Sequence, residues 1–455
     1  MPTPFRTAVA AACAVVLALS SCTFVVQKDS ASSTTGGAAT PTTTAPLGDA
    51  PADADFSAAP VRGITDDTIK LGAAFIDVDK VREFGVDLGE IPTGITQAFV
   101  KAQNARGGIN GRKVEVVERR FLPIGSEDSE KACRELIEDE KVFAVLGSFL
   151  DDNALCVTET YSTPYFGGFG LTSERAARSK ATYITTQGSG DADLVSAVDM
   201  LLAKKTLAQA KVAVYWENDM TKAWVDSTLI AKLRAGGVDV VSTAQLPDSD
   251  DQVQANSDMT RILQRFQADG ADTILSLAGL AVFLPTYEKS TYRPKVVFTN
   301  GQIIGDKALA GYGLTDPKVL DGSIGVVGGI VTDEVAADPQ FQRCLDDLNT
   351  YGGYGWTLDD LRANGEGDAP NIGLVPSLCS IWDLTVQVLE AAGDDPTPES
   401  ILQGLDGIEI ELPAQPGAAL SRTRWGAGIP MRLWDYDTAK GRFEPVGTLD
   451  AAAGE

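Results

Sequence analysis

The chain is expected to fold as an α/β protein of two lobes, each built on a parallel sheet. Three observations predict this. Short β-branched runs alternate with longer stretches of helical period, glycines stand where those helices should end, and the alternation restarts part-way along. In chain order the strands are expected over 69–76, 114–118, 142–146, 212–216, 238–244, 273–278 and 296–299. Ile95, Ala98, Phe99 and Ala102 mark the first helical stripe, Trp224, Val225, Leu229 and Leu233 another, and Met259, Ile262, Leu263 and Phe266 a third. These stripes are core faces. Gly107-Gly108, Gly236-Gly237 and Gly270 supply the left-handed residues that close helices before the next strand. One series spans 69 to about 183 and the second 212–299, with a helix over 194–202 between them. Gly167-Gly168 and Gly352-Gly353 read as turn glycines.

Composition narrows the chemistry. The 455 residues include 63 Asp plus Glu, 38 Lys plus Arg and no His, for a formal charge of -25. Without imidazole the chain builds no Ser-His-Asp triad, Cys-His pair or two-His zinc helix. The negative charge disfavours nucleic acid and anionic lipid surfaces as partners. At 44% hydrophobic and 22% charged the composition is globular, and the length suffices for two or three cores. Neither a P-loop nor a Gly-x-Gly-x-x-Gly after a strand occurs. No cofactor and no metal is expected.

At the N-terminus, Arg6 precedes an apolar run from Ala8 to Leu19, too short to span a bilayer, which ends in Leu19-Ser20-Ser21-Cys22. This resembles the bacterial lipobox, which implies a signal peptide over 1–21 and a mature chain lipidated at Cys22, anchored outside the cytoplasmic membrane. Residues 30–60 are almost wholly Ser, Thr, Ala, Gly, Pro and Asp, with Leu47 and Phe56 as the large apolar exceptions. A flexible tether over 22–60 is expected, with nothing in it able to bury a core.

Cys13 leaves with the signal peptide, so Cys133, Cys156, Cys344 and Cys379 remain for disulfides. Three pairings are open. Cys133 with Cys156 and Cys344 with Cys379 are preferred, because each pair is close in sequence and one member of each lies on a helix's apolar stripe. Each bridge should contribute roughly 3 kcal/mol.

The segment Asn104-Ala105-Arg106-Gly107-Gly108-Ile109-Asn110-Gly111-Arg112, leading into Lys113-Val114-Glu115, resembles the type I periplasmic solute-binding proteins, specifically the branched-chain amino-acid-binding family of ABC transporters. Val145-Leu146-Gly147-Ser148, the turn opening lobe two at 212–219, Ala268-Asp269-Gly270-Ala271-Asp272 and Trp434-Asp435-Tyr436-Asp437 are similar in order, so the resemblance spans roughly residues 64–446. It implies Rossmann-like lobes joined by a three-strand hinge, with crossovers at 185–188, 325–331 and 428–432. Lobe one would comprise 61–186 plus 328–430, and lobe two 187–327 plus 431–455. Ligand binding would select the closed form, which a permease then reads.

Carried onto this sequence, the resemblance places ligand contacts at Phe84, Ser148, Phe149, Asp151, Leu171, Thr172, Trp216, Asn218 and Asn300. Several have a second reading. Asp151 and Asp152 either cap a helix, which is favoured, or face a cationic or hydroxylated ligand. Trp216 is either an aromatic platform or a packed strand end, and Phe84 is either a contact or core. Asn300 and Gln302 are neutral where amino-acid binders place a carboxylate for the ammonium group, which weakens an amino acid as ligand.

The expected function is a lipid-anchored, monomeric solute-binding protein that closes on a small polar metabolite, an amino acid or a related compound, and delivers it to an ABC permease. The alternative is a sensing or interaction lipoprotein on the same fold. Enzymatic use of Asp151 and Asp152 as an acid-base pair is disfavoured, because adjacent turn residues rarely oppose each other across a substrate.

Overall fold

Among the described residues of a computed structural model, twelve strands form two separate sheets. The structure describes residues 49–446 apart from 83–91, 93, 124–125, 150, 218–219, 248, 250, 278, 305–308, 310–311, 330–331, 363–373, 407, 414, 416 and 429–430. The first sheet contains β1 (Thr68–Ile76), β2 (Lys113–Phe121), β3 (Ala144–Gly147), β4 (Tyr165–Gly167) and β5 (Tyr183–Thr185), all parallel in the order β2-β1-β3-β4-β5. The second contains β6 (Lys211–Trp216), β7 (Asp239–Gln245), β8 (Thr273–Ser276), β9 (Lys295–Phe298), β10 (Ile324–Gly328), β11 (Met431–Asp437) and β12 (Arg442–Val446), in the order β12-β11-β10-β9-β8-β6-β7. Helices cover both faces, so β3 and β8 are buried along their whole length.

The second sheet is not wholly parallel. β11 runs antiparallel to both β10 and β12: the β11–β12 hairpin closes through a short turn over 438–441, whereas β11 meets β10 only after the chain has passed through the first core. β4 and β5 are only three residues each, too short for a periodicity to declare them. Gly167 belongs to β4, so the expectation of a turn glycine there is corrected. Gly353, by contrast, is left-handed at a helix end.

The turn that carries the family resemblance is a clamp between distant segments. Gly108 is left-handed, and a Cβ there would overlap the Arg112 carbonyl. Ile109 and Arg112 exchange backbone hydrogen bonds at 2.9 and 3.0 Å. Asn110, itself at positive φ, donates from Nδ2 to the Gly393 carbonyl (2.9 Å). Arg112 donates to the Thr65 carbonyl (2.8 Å) and pairs with Asp395 (2.9 Å). The motif thus ties the end of helix Leu374–Ala391 to the start of β1 and β2.

Both preferred disulfides form. Cys133–Cys156 joins helix Glu127–Arg134 to the helical turn Cys156–Thr160, and Cys344–Cys379 joins helix Pro339–Asp347 to helix Leu374–Ala391.

One apolar core includes residues from 56 to 184 and from 335 to 427, and two others lie on opposite faces of the second sheet, drawing on 195–327 and 431–443. The first core corrects the tether. Phe56 is 5% exposed and packs on Trp425 at 5.8 Å. Its N–H donates to Glu399 (2.7 Å), and Arg422 donates to the Ala54 carbonyl (3.0 Å). One aromatic ring with backbone partners anchors the segment, which a compositional reading treats as solvated. Cys22 and the signal segment lie outside the described residues.

The chain passes from the first sheet to the second between β5 and β6. After β10 it enters helix Thr332–Ala337, whose Val335 belongs to the first core, and it re-enters the second sheet at β11. β10 and β11 extend into the crossover ranges expected from sequence, so Gly325 and Arg432 are strand residues. Arg432, 5% exposed, makes a two-pronged ion pair with Glu334 at 2.8 and 2.9 Å, fastening the second crossover to the third.

Candidate functional site

In parallel sheets, loops at the carboxyl ends of strands are free to meet a ligand, because the helices leave that rim open. Here those loops follow β3, β4 and β5 in one sheet and β6, β8 and β9 in the other. Gly147, at φ 144°, ends β3 where a Cβ would overlap the Ala74 carbonyl, so the strand end must be glycine. Next, the Ser148 N–H donates to Ala74 (2.9 Å). Tyr165 pins the loop from β4: its hydroxyl donates to the Gly147 carbonyl and accepts from the Phe149 N–H, both at 3.0 Å. Burial holds this phenol well above its ordinary pKa, so it stays protonated.

Phe149 turns inward. Its ring, 1% exposed, packs on Phe121 (5.1 Å) and Tyr165 (6.0 Å) in the first core, which leaves no face for a solute. Leu171 is likewise buried in that core. These two expected contacts are corrected to packing, because a large apolar side chain beside an open rim gains more from the core. Ser148 stays half-buried, as does Thr172, whose hydroxyl accepts from the Arg175 N–H (3.2 Å) and caps helix Ser173–Arg178.

Asp151 opens the short helical turn Asp151–Ala154. Asp152 is gripped by Arg175 at 2.9 Å and Arg178 at 3.0 Å, and this pairing holds its carboxyl below the usual range although burial opposes it. Its charge is therefore satisfied within the chain. Arg175 also donates to the Gly170 carbonyl (2.7 Å), so one guanidinium organises the loops after β3 and β4 together.

The β4 loop is wired into the first crossover. Thr186 and Gln187 N–H donate to the Gly167 and Gly168 carbonyls, both at 3.0 Å, and the Gly190 N–H donates to Leu171 (3.1 Å). A shift of this loop moves the crossover.

On the second sheet, Trp216 is 1% exposed in the core, so it takes its packing alternative and not the platform. Its Nε1 has no hydrogen-bond partner among the described residues. Tyr215, missed in the sequence, has the connecting role: it accepts from Ser276 Oγ (3.1 Å) and donates to the Gly279 carbonyl (3.2 Å). Thr299 Oγ1 donates to the Ser276 carbonyl (3.0 Å), and Asn300 is half-buried, its Oδ1 accepting from the Gln302 N–H (2.8 Å). Gln302 in turn accepts from the Leu280 N–H (3.1 Å). Only a strand assignment for 165–167 would have singled out Tyr165. Phe84 and Asn218 lie outside the described residues.

A separate polar pocket of about 270 Å³ lies on the first body, lined by Arg106, Arg343, Asp383, Glu390 and Glu411 among others. Asp383 pairs there with Arg343 at 2.6 Å, and burial pushes it up to about 6 against that guanidinium. Among the described residues, no cluster of acidic or cysteine side chains is placed to hold a metal, and no helix is long and apolar enough to cross a membrane.

Residues 95–433 match the family model described as periplasmic binding protein. Solved structures with a similar fold include an ABC transporter solute-binding protein from R. palustris in complex with 4-hydroxybenzoate (18% identity, 85% of this chain and 98% of that one, TM-score 0.54). A fatty acid ABC transporter substrate-binding protein from Thermomonospora curvata is similar at 17% identity, covering 86% and 95%, with TM-score 0.54. A branched-chain amino acid ABC transporter from Thermus thermophilus with bound valine is similar at 14% identity, covering 86% and 98%, with TM-score 0.56. No curated protein matches the chain.

Proposed function

This chain belongs to the periplasmic binding protein family, and from that premise we propose that it is a lipid-anchored, extracytoplasmic solute-binding protein delivering a small carboxylate metabolite to an ABC importer. The observation that carries the ligand class is the rim itself. On the first sheet it offers the Ser148 and Thr172 hydroxyls, while the nearby Asp152 is neutralised by Arg175 and Arg178 and no longer repels an anion. On the second sheet, half-buried Asn300 and buried Gln302 bring no carboxylate to the rim, which suits an organic acid better than the ammonium group of an amino acid. The structurally similar proteins named above support this breadth, since 4-hydroxybenzoate, valine and fatty acids all carry a carboxylate.

Binding would draw the two bodies together, the loop after β4 passing its displacement to the first crossover. Cys22 would supply the anchor, and the segment up to residue 48 the reach from the membrane. The test is native mass spectrometry of the purified chain for a retained small molecule, followed by calorimetry with benzoates, short fatty acids and valine. Micromolar binding of an organic acid is expected. If none of these classes binds and no molecule is retained, the proposal fails. Tighter binding of valine than of any simple acid would return the assignment to amino acids.

A further inference from the structure

Where the first and third crossovers touch, Gly188 and Gly426 meet backbone to backbone, and acidic side chains gather around the contact. Asp49 reaches in from the N-terminal segment, 3% exposed, and accepts from the Trp425 N–H (2.6 Å) and the Gly426 N–H (3.1 Å). Asp191, at the start of helix Gly190–Ala203, accepts from the Ser173 N–H (3.2 Å). Asp193, in the same helical turn, lays its carboxylate against Gly188, where any side chain would overlap it. Arg424 stands on the third crossover, donating to the Gly426 carbonyl (3.2 Å) and the Ala427 carbonyl (3.3 Å), and it attracts both Asp49 and Asp193. Two carboxylates, Asp49 from the N-terminal segment and Asp193 from the first crossover, thus face one guanidinium on the third, with Asp191 close by.

We propose that this cluster is a proton-operated latch on the hinge: one proton held between Asp49 and Asp193 keeps the two crossovers in the arrangement seen here, and its release loosens them. Fully ionised, Asp49 and Asp193 outnumber Arg424 and repel each other at the point where the crossovers touch. Burial pushes Asp193 up to about 7, with Asp49 and Asp191 adding to the rise and Arg424 opposing it. The proton is therefore lost near neutrality. Because the folded value exceeds the unfolded one, the stabilising contribution is complete below about pH 4 and disappears as pH rises through about 7.

The latch acts on the lobe closure of the proposed binding cycle, so it is tested without ligand. Spin labels are placed on the full-length chain at Lys101, exposed on helix Ile95–Ala105, and at Val253, exposed on helix Gln252–Ala268. Pulsed dipolar distances are then measured from pH 5.5 to 8.5. The expected result is a distribution that moves toward the distance in this structure as pH falls, with a midpoint near 7. In Asp193→Asn, which mimics the protonated group, that distance should hold throughout. An unchanged wild-type distribution, or the same pH response in Asp193→Asn, overturns the latch and leaves solute binding standing. Should Asp193→Asn fail to fold, Asp49→Asn removes a neighbouring charge and should lower the midpoint. An unmoved midpoint there is equally fatal.

Discussion

Gly426→Ala probes the hinge most directly. A Cβ at this position would stand 2.6 Å from the Ser189 nitrogen, 2.8 Å from the Gly188 carbonyl carbon and 3.0 Å from the Gln187 carbonyl oxygen, all of them backbone atoms. Attractive contact begins at about 3.5 Å, so the two crossovers must part by roughly 0.5–0.9 Å, and no side-chain rotation relieves the clash. Parting stretches the hydrogen bonds from Thr185 N–H to Trp425 (3.0 Å) and from Ala427 N–H to Thr185 (2.8 Å), and disturbs Asp49. Overpacking costs about 1–3 kcal/mol, and weakened hydrogen bonds add about 1 kcal/mol. Over about 400 residues a loss of about 2–4 kcal/mol corresponds to a melting temperature lower by roughly 2–5 °C. The internal control is Gly190→Ala, two residues beyond Gly188, where a Cβ meets no atom within 4 Å. That substitution should be neutral or stabilise by up to about 1 kcal/mol, since it removes unfolded-state freedom from a helix start. Calorimetry and denaturant unfolding of both variants decide the matter. If Gly426→Ala lies within about 0.5 kcal/mol of wild type, or Gly190→Ala loses as much as Gly426→Ala, the backbone contact between crossovers is not what orders the hinge.

Three further outcomes follow from the structure. Replacing Cys344 and Cys379 by Ser should cost about 3.8 kcal/mol, and replacing Cys133 and Cys156 about 3.4 kcal/mol, because the bridges close 35 and 23 residues respectively; mass mapping without reduction checks the pairs, and a loss below about 1 kcal/mol from either pair would contradict the loop-entropy account. Phe56→Ala should cost about 3 kcal/mol, less if the segment detaches on its own, and limited proteolysis should then cut near residue 56; a resistant variant would show that the ring is not the anchor. Burial raises Asp383 to about 6, so its contribution to stability is present below about pH 4 and lost as pH climbs through about 6, by at most about 3 kcal/mol. In Asp383→Asn the slope between pH 4 and 6 should fall by that amount, leaving the part that Asp193 supplies, and an unchanged slope would assign it to other carboxylates.

The αβ alternation, the restart near residue 212 and both disulfide pairs were legible in order, because hydrophobic period and cysteine spacing are local properties written along the chain. β4 and β5 were not, since three residues carry no period and are held as strands by their neighbours in the sheet. The Gly-Gly-Ile-Asn-Gly-Arg turn identified the family from sequence, yet its work is to clamp helix Leu374–Ala391 to the first sheet through Asn110 and Arg112. The candidate site divides in the same way. Ser148 follows β3 and Thr172 caps helix Ser173–Arg178, both half-buried, whereas Phe149, Leu171 and Trp216 turn into cores, where large apolar side chains gain most from burial.

Without histidine the chain can form no imidazole-based triad or two-His zinc site, because a missing side chain cannot be supplied by folding. Which carboxylates matter was settled in three dimensions. Asp152 is neutralised by two arginines from the next helix, and Asp49 arrives at the hinge from 376 residues away in sequence to meet Trp425. Charge is counted along a chain, but its energy depends on burial and on distance to the nearest opposite charge, and those exist only after the chain has closed on itself.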